Sequence, residues 1–256
     1  MTIVAQIPWL LTVMLVSVRL GVVMIMTPVF SLISLPVHIR VLFVLALSAT
    51  LVSGMEPGLA AAAIDSPGSL ALAAATEFAL GSLLAFGLLA GFAAFQFAGR
   101  ILDIQLGFGV AGLIDPTTRN QAPLLGTILN MTAVLTFFLM GGHRLLLRAL
   151  AFSLRQVPPG SALRGIPLHQ VLEQFGAMFV FATLLAAPVM TVVLLVDLAM
   201  AVMARTMPQM NVFIVGLPLK ILVGLIVLAI SLGFLEPAFT LVFEGLFESW
   251  QAILTH

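Results

Sequence analysis

The stretch RTMPQMNVFIVGLPLK, Arg205 to Lys220, carries a cation at each end, is interrupted by two prolines, a glycine, Gln209 and Asn211, and is flanked by long apolar runs. Unsatisfied backbone and side-chain polar groups are costly in hydrocarbon, so a helix that only crossed a bilayer would have little use for this composition. The segment reads as a joint whose polar groups must be buried or used.

The chain around it has 256 residues, of which 62% are hydrophobic and 8% charged. With a mean hydropathy of +1.24, it cannot be a water-soluble domain with a polar shell, and is an integral membrane-type protein. Ten Lys and Arg balance ten Asp and Glu, which offers nothing to nucleic acid or another polyanion. The absence of cysteine excludes disulfides, thiolate metal sites and Cys nucleophiles. Four scattered histidines and no tyrosine leave no metal or cofactor site to expect. Phosphate-loop, HExxH and GxSxG motifs are all missing, so no enzyme is expected. The N-terminal MTIVAQIPWLLTVMLVSVRLG has no basic cluster ahead of its apolar run, and its first cation, Arg19, lies inside that run. It is expected to be a retained first helix.

Apolar runs fall near residues 8–27, 37–53, 69–106, 122–156, 170–205 and 217–235. The fold class is therefore all-α and membrane-type, with about six hydrophobic helical segments, each needing about 20 residues to span. The second run is short and the third to fifth are long, which implies tilt, breaks, or extension beyond the bilayer. Most prolines lie near run boundaries, whereas Pro188 lies inside the fifth run and is expected to kink it. The positive-inside rule gives no clean topology. Arg40, Arg100, Arg119, Arg205 and Lys220 fall on one side of a six-span arrangement, and Arg144, Arg148, Arg155 and Arg164 crowd the other. This second group is expected to be a solvated connection.

From Glu236 to Leu254 the pattern changes. Phe239, Val242, Phe243, Leu246, Phe247 and Trp250 form one face of an amphipathic C-terminal helix, residues 236–254, with Glu244 and Glu248 on another. Its acidic polar side favours a protein partner over anionic lipid.

Gly107 to Pro123, GFGVAGLIDPTTRNQAP, reads as an irregular loop. It is either a surface linker or non-helical backbone lining a cavity or pore. Gly87 and Gly91 form a GxxxG pair for close helix packing. Arg19, Glu77, Asp103 and Asp197 are ionisable groups in apolar runs; each is expected to pair with an opposite charge from another helix rather than relay protons. Met200, Met203, Met207 and Met210 read as core packing, with a compliant pore lining as the alternative.

The pattern R-x-x-P-Q-x-N-V-F-x-x-G-x-P-x-K, carried here by Arg205, Pro208, Gln209, Asn211, Val212, Phe213, Gly216, Pro218 and Lys220, resembles the signature of the FliR family. That family supplies the R subunit of the flagellar type III export gate and is related to the injectisome SctT subunit. Two further pieces agree in order: Gly107-Phe108 followed by Asp115-Pro116, and GGHRLLLRAL from Gly141 to Leu150, similar to the family's N-G-H helix.

The resemblance covers the whole chain and implies one export-gate domain, residues 1–256, with its helices in tilted hairpins. It implies P and Q subunits as partners in a hetero-oligomer, together with the B subunit, unfolded flagellar proteins as substrate, and membrane lipid. The implied location is the bacterial inner membrane at the flagellar basal body. The loop at 107–123 would be a plug, with Gly107, Phe108, Val110, Leu113 and Ile114 as its mobile apolar part and Asp115 and Pro116 setting its turn. The 205–220 segment would be a buried joint satisfied by neighbouring subunits, with Arg205 or Lys220 paired to a carboxylate. The alternatives are the T subunit of a virulence injectisome and, from another class, a small-solute secondary transporter, for which no internal repeat is evident.

Overall fold

The computed structural model describes residues 6–28, 36–54, 66–108, 123–161, 168–207, 209 and 211–255. Among them are eight helices: α1 (Gln6–Met26), α2 (Val37–Ser53), α3 (Pro67–Gln105), α4 (Leu124–Leu139), α5 (Gly142–Gln156), α6 (Leu168–Thr206), α7 (Val212–Leu232) and α8 (Leu235–Thr255). The all-α class follows directly from the apolar runs. The segment count differs because the fourth run holds two helices. It breaks at Gly141, whose φ of 75° lies in the left-handed region and ends any continuous helical ladder.

Four helices are long and apolar enough to cross a membrane, α1, α3, α6 and α7, or up to five segments if α4 and α5 count as one broken span. At 1.5 Å per residue, the 39 residues of α3 and of α6 extend about 58 Å each, nearly twice a hydrocarbon core of ~30 Å. Each is far longer than an upright span needs. Pro188 lies inside α6, which is continuous through it.

Local chemistry sets the helix ends. Ser66 and Ser69 cap α3 reciprocally: each backbone N–H donates to the other's hydroxyl, at 3.1 and 3.2 Å, with Pro67 in the first helical position. Inside the apolar helices, hydroxyls donate back to their own helix. Ser48 reaches the Val44 carbonyl at 2.7 Å, Thr191 that of Ala187 at 2.8 Å, and Ser231 that of Val227 at 2.8 Å. Polar atoms satisfied in this way let a helix face lipid or a partner without an orphaned donor.

The chain divides into two compact units, residues 1–90, 140–175 and 245–256 in the first and 91–139 and 176–244 in the second. In the first, α1 and α2 pack together, and Val16, Leu20, Leu84, Leu88, Leu146, Leu150 and Trp250 are buried. The second is built around rings. Phe92 meets Phe137 at 5.6 Å and Phe243 at 5.3 Å, while Phe239 stacks on Phe243 at 4.6 Å. Lipid leaves helices no net hydrophobic drive to associate, so such dense ring contacts carry much of the cohesion. The expected face of α8 is buried throughout, from Phe239 to Trp250, with Glu244 exposed.

Candidate functional site

Within the first unit, Arg19 of α1 and Glu77 of α3 form a fully buried bidentate pair. Arg19 Nε donates to Glu77 Oε2 at 2.7 Å and Nη2 to Oε1 at 3.0 Å. Two further donors are engaged: Nη2 with the Val157 carbonyl at 3.0 Å and Nη1 with Ser153 Oγ at 3.3 Å. Gly160 N–H closes the network on Glu77 Oε1 at 3.2 Å. Gly81, one turn after Glu77 on the same face of α3, brings the helices close enough, since a Cβ there would lie 2.8 Å from the Arg19 carbonyl oxygen. Glu77 thus clasps α1 to α3 and to the chain that follows α5. Every hydrogen of the guanidinium fork that leads to a named partner is held in place, an arrangement for holding helices together rather than for passing protons.

In the second unit, Asp103 near the end of α3 accepts the backbone N–H of Leu125 at 3.0 Å and of Gly126 at 3.2 Å. These are orphan donors of the first turn of α4, preceded by Pro123, whose side chain has no acceptor. Asp103 therefore caps a neighbouring helix, and among the described residues it forms no ion pair with a cation. Asp103→Ala should cost about 1–2 kcal/mol, and hydrogen exchange should rise roughly tenfold at the Leu125 and Gly126 amides while Asp103→Asn retains part of the protection. Unchanged exchange at those two amides would show that Asp103 does not cap α4.

Of the 107–123 loop, only Gly107, Phe108 and Pro123 are described. α3 gives way at Leu106 and Gly107, and Gly107 has a φ of 82°. A Cβ at that position would lie 2.5 Å from Leu217 Cδ1 of α7, so both backbone conformation and space call for glycine. Phe108 is half-buried. Val110, Leu113, Ile114, Asp115 and Pro116 lie outside the described residues.

The 205–220 joint is narrower than the sequence suggests. Arg205 belongs to the last turn of α6, and α7 resumes at Val212 and runs through Gly216 and Pro218. An apolar helix of 21 residues tolerates the one backbone donor that Pro218 lacks. Lys220 Nζ is ion-paired with Asp197 Oδ1 of α6, so the expected cation–carboxylate pair exists. The joint itself is not buried within the chain, because Arg205, Met207, Gln209 and Asn211 are all exposed. Pro208 and the Phe213 side chain lie outside the described residues. Of the methionines, Met200 packs against Gly216, whereas Met203 and Met207 are 38% and 53% exposed and are not core; Met210 lies outside the described residues.

Gly87 and Gly91 each face side chains of neighbouring helices. A Cβ on Gly87 would lie 2.6 Å from Gln174 Nε2 and 2.7 Å from Trp250 Nε1, while one on Gly91 would make ordinary contact, at 3.6 Å, with Phe243. Neither is a backbone-to-backbone crossing, a role taken by Gly81 against Arg19 and by Gly99, where a Cβ would lie 2.4 Å from Gly126 Cα, a pairing invisible to a local GxxxG search because the two glycines sit on different helices. Arg144, Arg148 and Arg155 stand exposed on α5 and are not part of a connection. An apolar cavity of about 450 Å³ in the second unit is lined by residues including Phe95, Leu129, Leu184, Pro188 and Phe234. Among the described residues, no group of three or more His, Asp or Glu is placed to hold a metal ion.

Residues 10–246 match the model of the bacterial export proteins, family 1. The chain belongs to that family. It is 37% identical over 166 residues to the flagellar biosynthetic protein FliR of Bacillus subtilis (strain 168), a match spanning 63% of this chain and 64% of the relative. It is 28% identical over 183 residues to FliR of Escherichia coli (strain K12), spanning 71% and 70%. The Yop proteins translocation protein T of Yersinia pestis is 31% identical over 165 residues, spanning 63% of each chain. The chain thus spans just under two thirds of the Bacillus and Yersinia relatives it matches. In this FliR-family export protein, then, charged groups in apolar helices serve as clasp, cap and bridge.

Proposed function

We propose that the chain is the R-type subunit of a flagellar type III protein export gate, forming with P and Q subunits the channel through which unfolded flagellar proteins leave the cytoplasm. The observation that carries this reading is how little of α6 and α7 the chain covers. Only 22% and 17% of their most apolar windows are buried, against 61% for α3. Leu194, Leu198, Val202, Ile214, Leu222 and Ile226 stand exposed around the Asp197–Lys220 bridge. Lipid would satisfy the leucines but not the ion pair, whereas packing against other subunits serves both. On this reading residues 1–256 act as one gate domain and work as a scaffold and conduit, not an enzyme. The complex sits in the inner membrane at the basal body and docks the B subunit.

Residues 107–123 are the proposed plug. Their first residues, Gly107 and Phe108, leave α3 on a left-handed turn against Leu217, which gives an apolar, glycine-hinged segment a firm base. Apolar constrictions of this kind exclude water and ions while yielding to varied side chains. The second reading, an injectisome T subunit, is supported by the Yersinia relative; the flagellar one is preferred because of the 37% identity to the Bacillus protein.

The test is to tag the chain in its own cell and purify it in mild detergent. Copurification of P and Q subunits is expected, and recovery of the chain alone would overturn the gate. In the same complex, deletion of residues 110–120 should raise leakage of ions and small solutes across the membrane; unchanged permeability would leave a scaffold without a plug. Loss of swimming, rather than of effector secretion, on disruption of the gene separates the two export systems.

A further inference from the structure

Helix α5 is the one strongly amphipathic helix in the middle of the chain. On its inner face Leu146, Leu150, Ser153 and Leu154 are buried. On its outer face Arg144, Arg148 and Arg155 are all exposed. At about 100° per residue, Arg148 lies four positions or ~400° from Arg144, and Arg155 eleven positions or ~1100°, so the three guanidinium groups fall within ~40° of arc. The helix contains no Asp or Glu, and among the described residues none of the three arginines forms an ion pair. Glu77 is already committed to Arg19, which also donates to Ser153 of α5. Beside the stripe runs a groove of about 440 Å³ whose walls include Leu145, Arg148, Phe152, Arg155 and Phe247, and Leu145 is 40% exposed. Apolar and cationic groups therefore alternate along one accessible surface.

The chain context supplies the occupant. α4 is apolar along its length and ends at Leu139, which is 86% exposed, only five residues before Arg144. Three exposed arginines, none ion-paired among the described residues, cannot follow α4 through hydrocarbon, so α5 does not complete a fifth span. We propose that α5 lies along the membrane surface as an anionic-phospholipid site, with phosphate groups bound by Arg144, Arg148 and Arg155 and acyl-chain carbons against Leu145 and Phe152. Basic amphipathic helices gain both from buried apolar area and from attraction to anionic headgroups, and arginine's planar fork suits phosphate oxygens. An acidic partner protein would meet the charge but would have no need for the apolar groove beside it.

The full chain in neutral detergent, titrated with dioctanoyl phosphatidylglycerol or dioctanoyl phosphatidylcholine and read by native mass spectrometry, tests this. The wild type should prefer phosphatidylglycerol by about fivefold for each arginine, on the order of 100-fold in all. Raising the salt from ~0.05 to ~0.5 M should largely abolish the preference. R144Q/R148Q/R155Q should bind the two lipids alike, R144K/R148K/R155K should keep most of the preference, and R205Q, in the other unit, should keep all of it. A triple glutamine variant that still prefers phosphatidylglycerol overturns the proposal, as does equal loss in R205Q. If the glutamine variant does not fold, a wild-type preference insensitive to salt overturns it as well. Absence of any wild-type preference, with loss of copurifying export subunits in the triple variant, assigns the stripe to an acidic protein partner instead.

Discussion

Glu77→Ala is expected to destabilise the detergent-solubilised chain by about 3–5 kcal/mol, because it leaves Arg19 charged and buried with only Ser153 and the Val157 carbonyl as partners. Both side chains are essentially inaccessible, at 0% and 1% exposure, so neither water nor salt can take the place of the carboxylate. The same substitution frees Gly160 N–H and loosens the chain after α5, so the damage should extend from α1 and α3 to that segment. Arg19→Met combined with Glu77→Leu removes both charges and should recover most of the loss, since a well-packed apolar pair often replaces a buried ion pair at little cost. Denaturation of the two variants, followed by circular dichroism, measures the difference. A loss below ~1 kcal/mol for Glu77→Ala, or a double variant no better than the single one, would show that the clasp is not what joins these elements. In cells, Glu77→Ala should lower the amount of folded protein, and with it swimming if the proposed function holds.

Gly99→Ala should be the next most damaging change, although it adds one methyl group. The new Cβ would lie 2.4 Å from Gly126 Cα, 2.5 Å from its nitrogen and 2.7 Å from the Leu125 carbonyl carbon. All three are backbone atoms, which cannot rotate aside, so α4 must move away from α3. Asp103 sits one turn further along the same face of α3 and caps α4 through the same two residues, so displacement strains the cap as well. Overpacking of this kind costs about 1–3 kcal/mol, and the lost cap about 1 more. Gly91→Ala is the internal control. There the methyl would meet Val242 and Phe243 side chains at 3.6 Å, ordinary contact distance, and alanine's better helix propensity should make the change neutral or stabilising by up to ~1 kcal/mol. Equal thermal midpoints for the two variants would refute the α3–α4 close approach.

The fates of these groups explain what could be read from the residues in order. Arg19, Glu77, Asp103 and Asp197 stand out in the sequence because charge in an apolar run is costly wherever the run ends up. Their partners were not legible. Glu77 is 58 positions from Arg19, and the choice of Asp103 for a helix start instead of a cation depends on Pro123 lacking a side-chain acceptor and on α4 crossing nearby. The methionines went wrong for a related reason. Helical spacing places Met200, Met203 and Met207 near one another on the helix, but only the arrival of α7, with Gly216 against Met200, determines which of them is covered.

By itself the sequence determined the solvent, the class and the family-like signature: apolar runs of spanning length require helices that satisfy their own backbone, and the Arg205–Lys220 pattern is local and contiguous. It also determined the buried face of α8, because amphipathic periodicity is a property of a single helix. Tertiary structure alone decided that Asp197 bridges to Lys220, that Glu77, Ser153 and the Val157 carbonyl converge on Arg19, and that Gly99 and Gly126 bring two helix backbones together. Each of these depends on distances between segments far apart in the chain, and those distances are set by how closely the backbones pack, which no periodicity along a single run encodes.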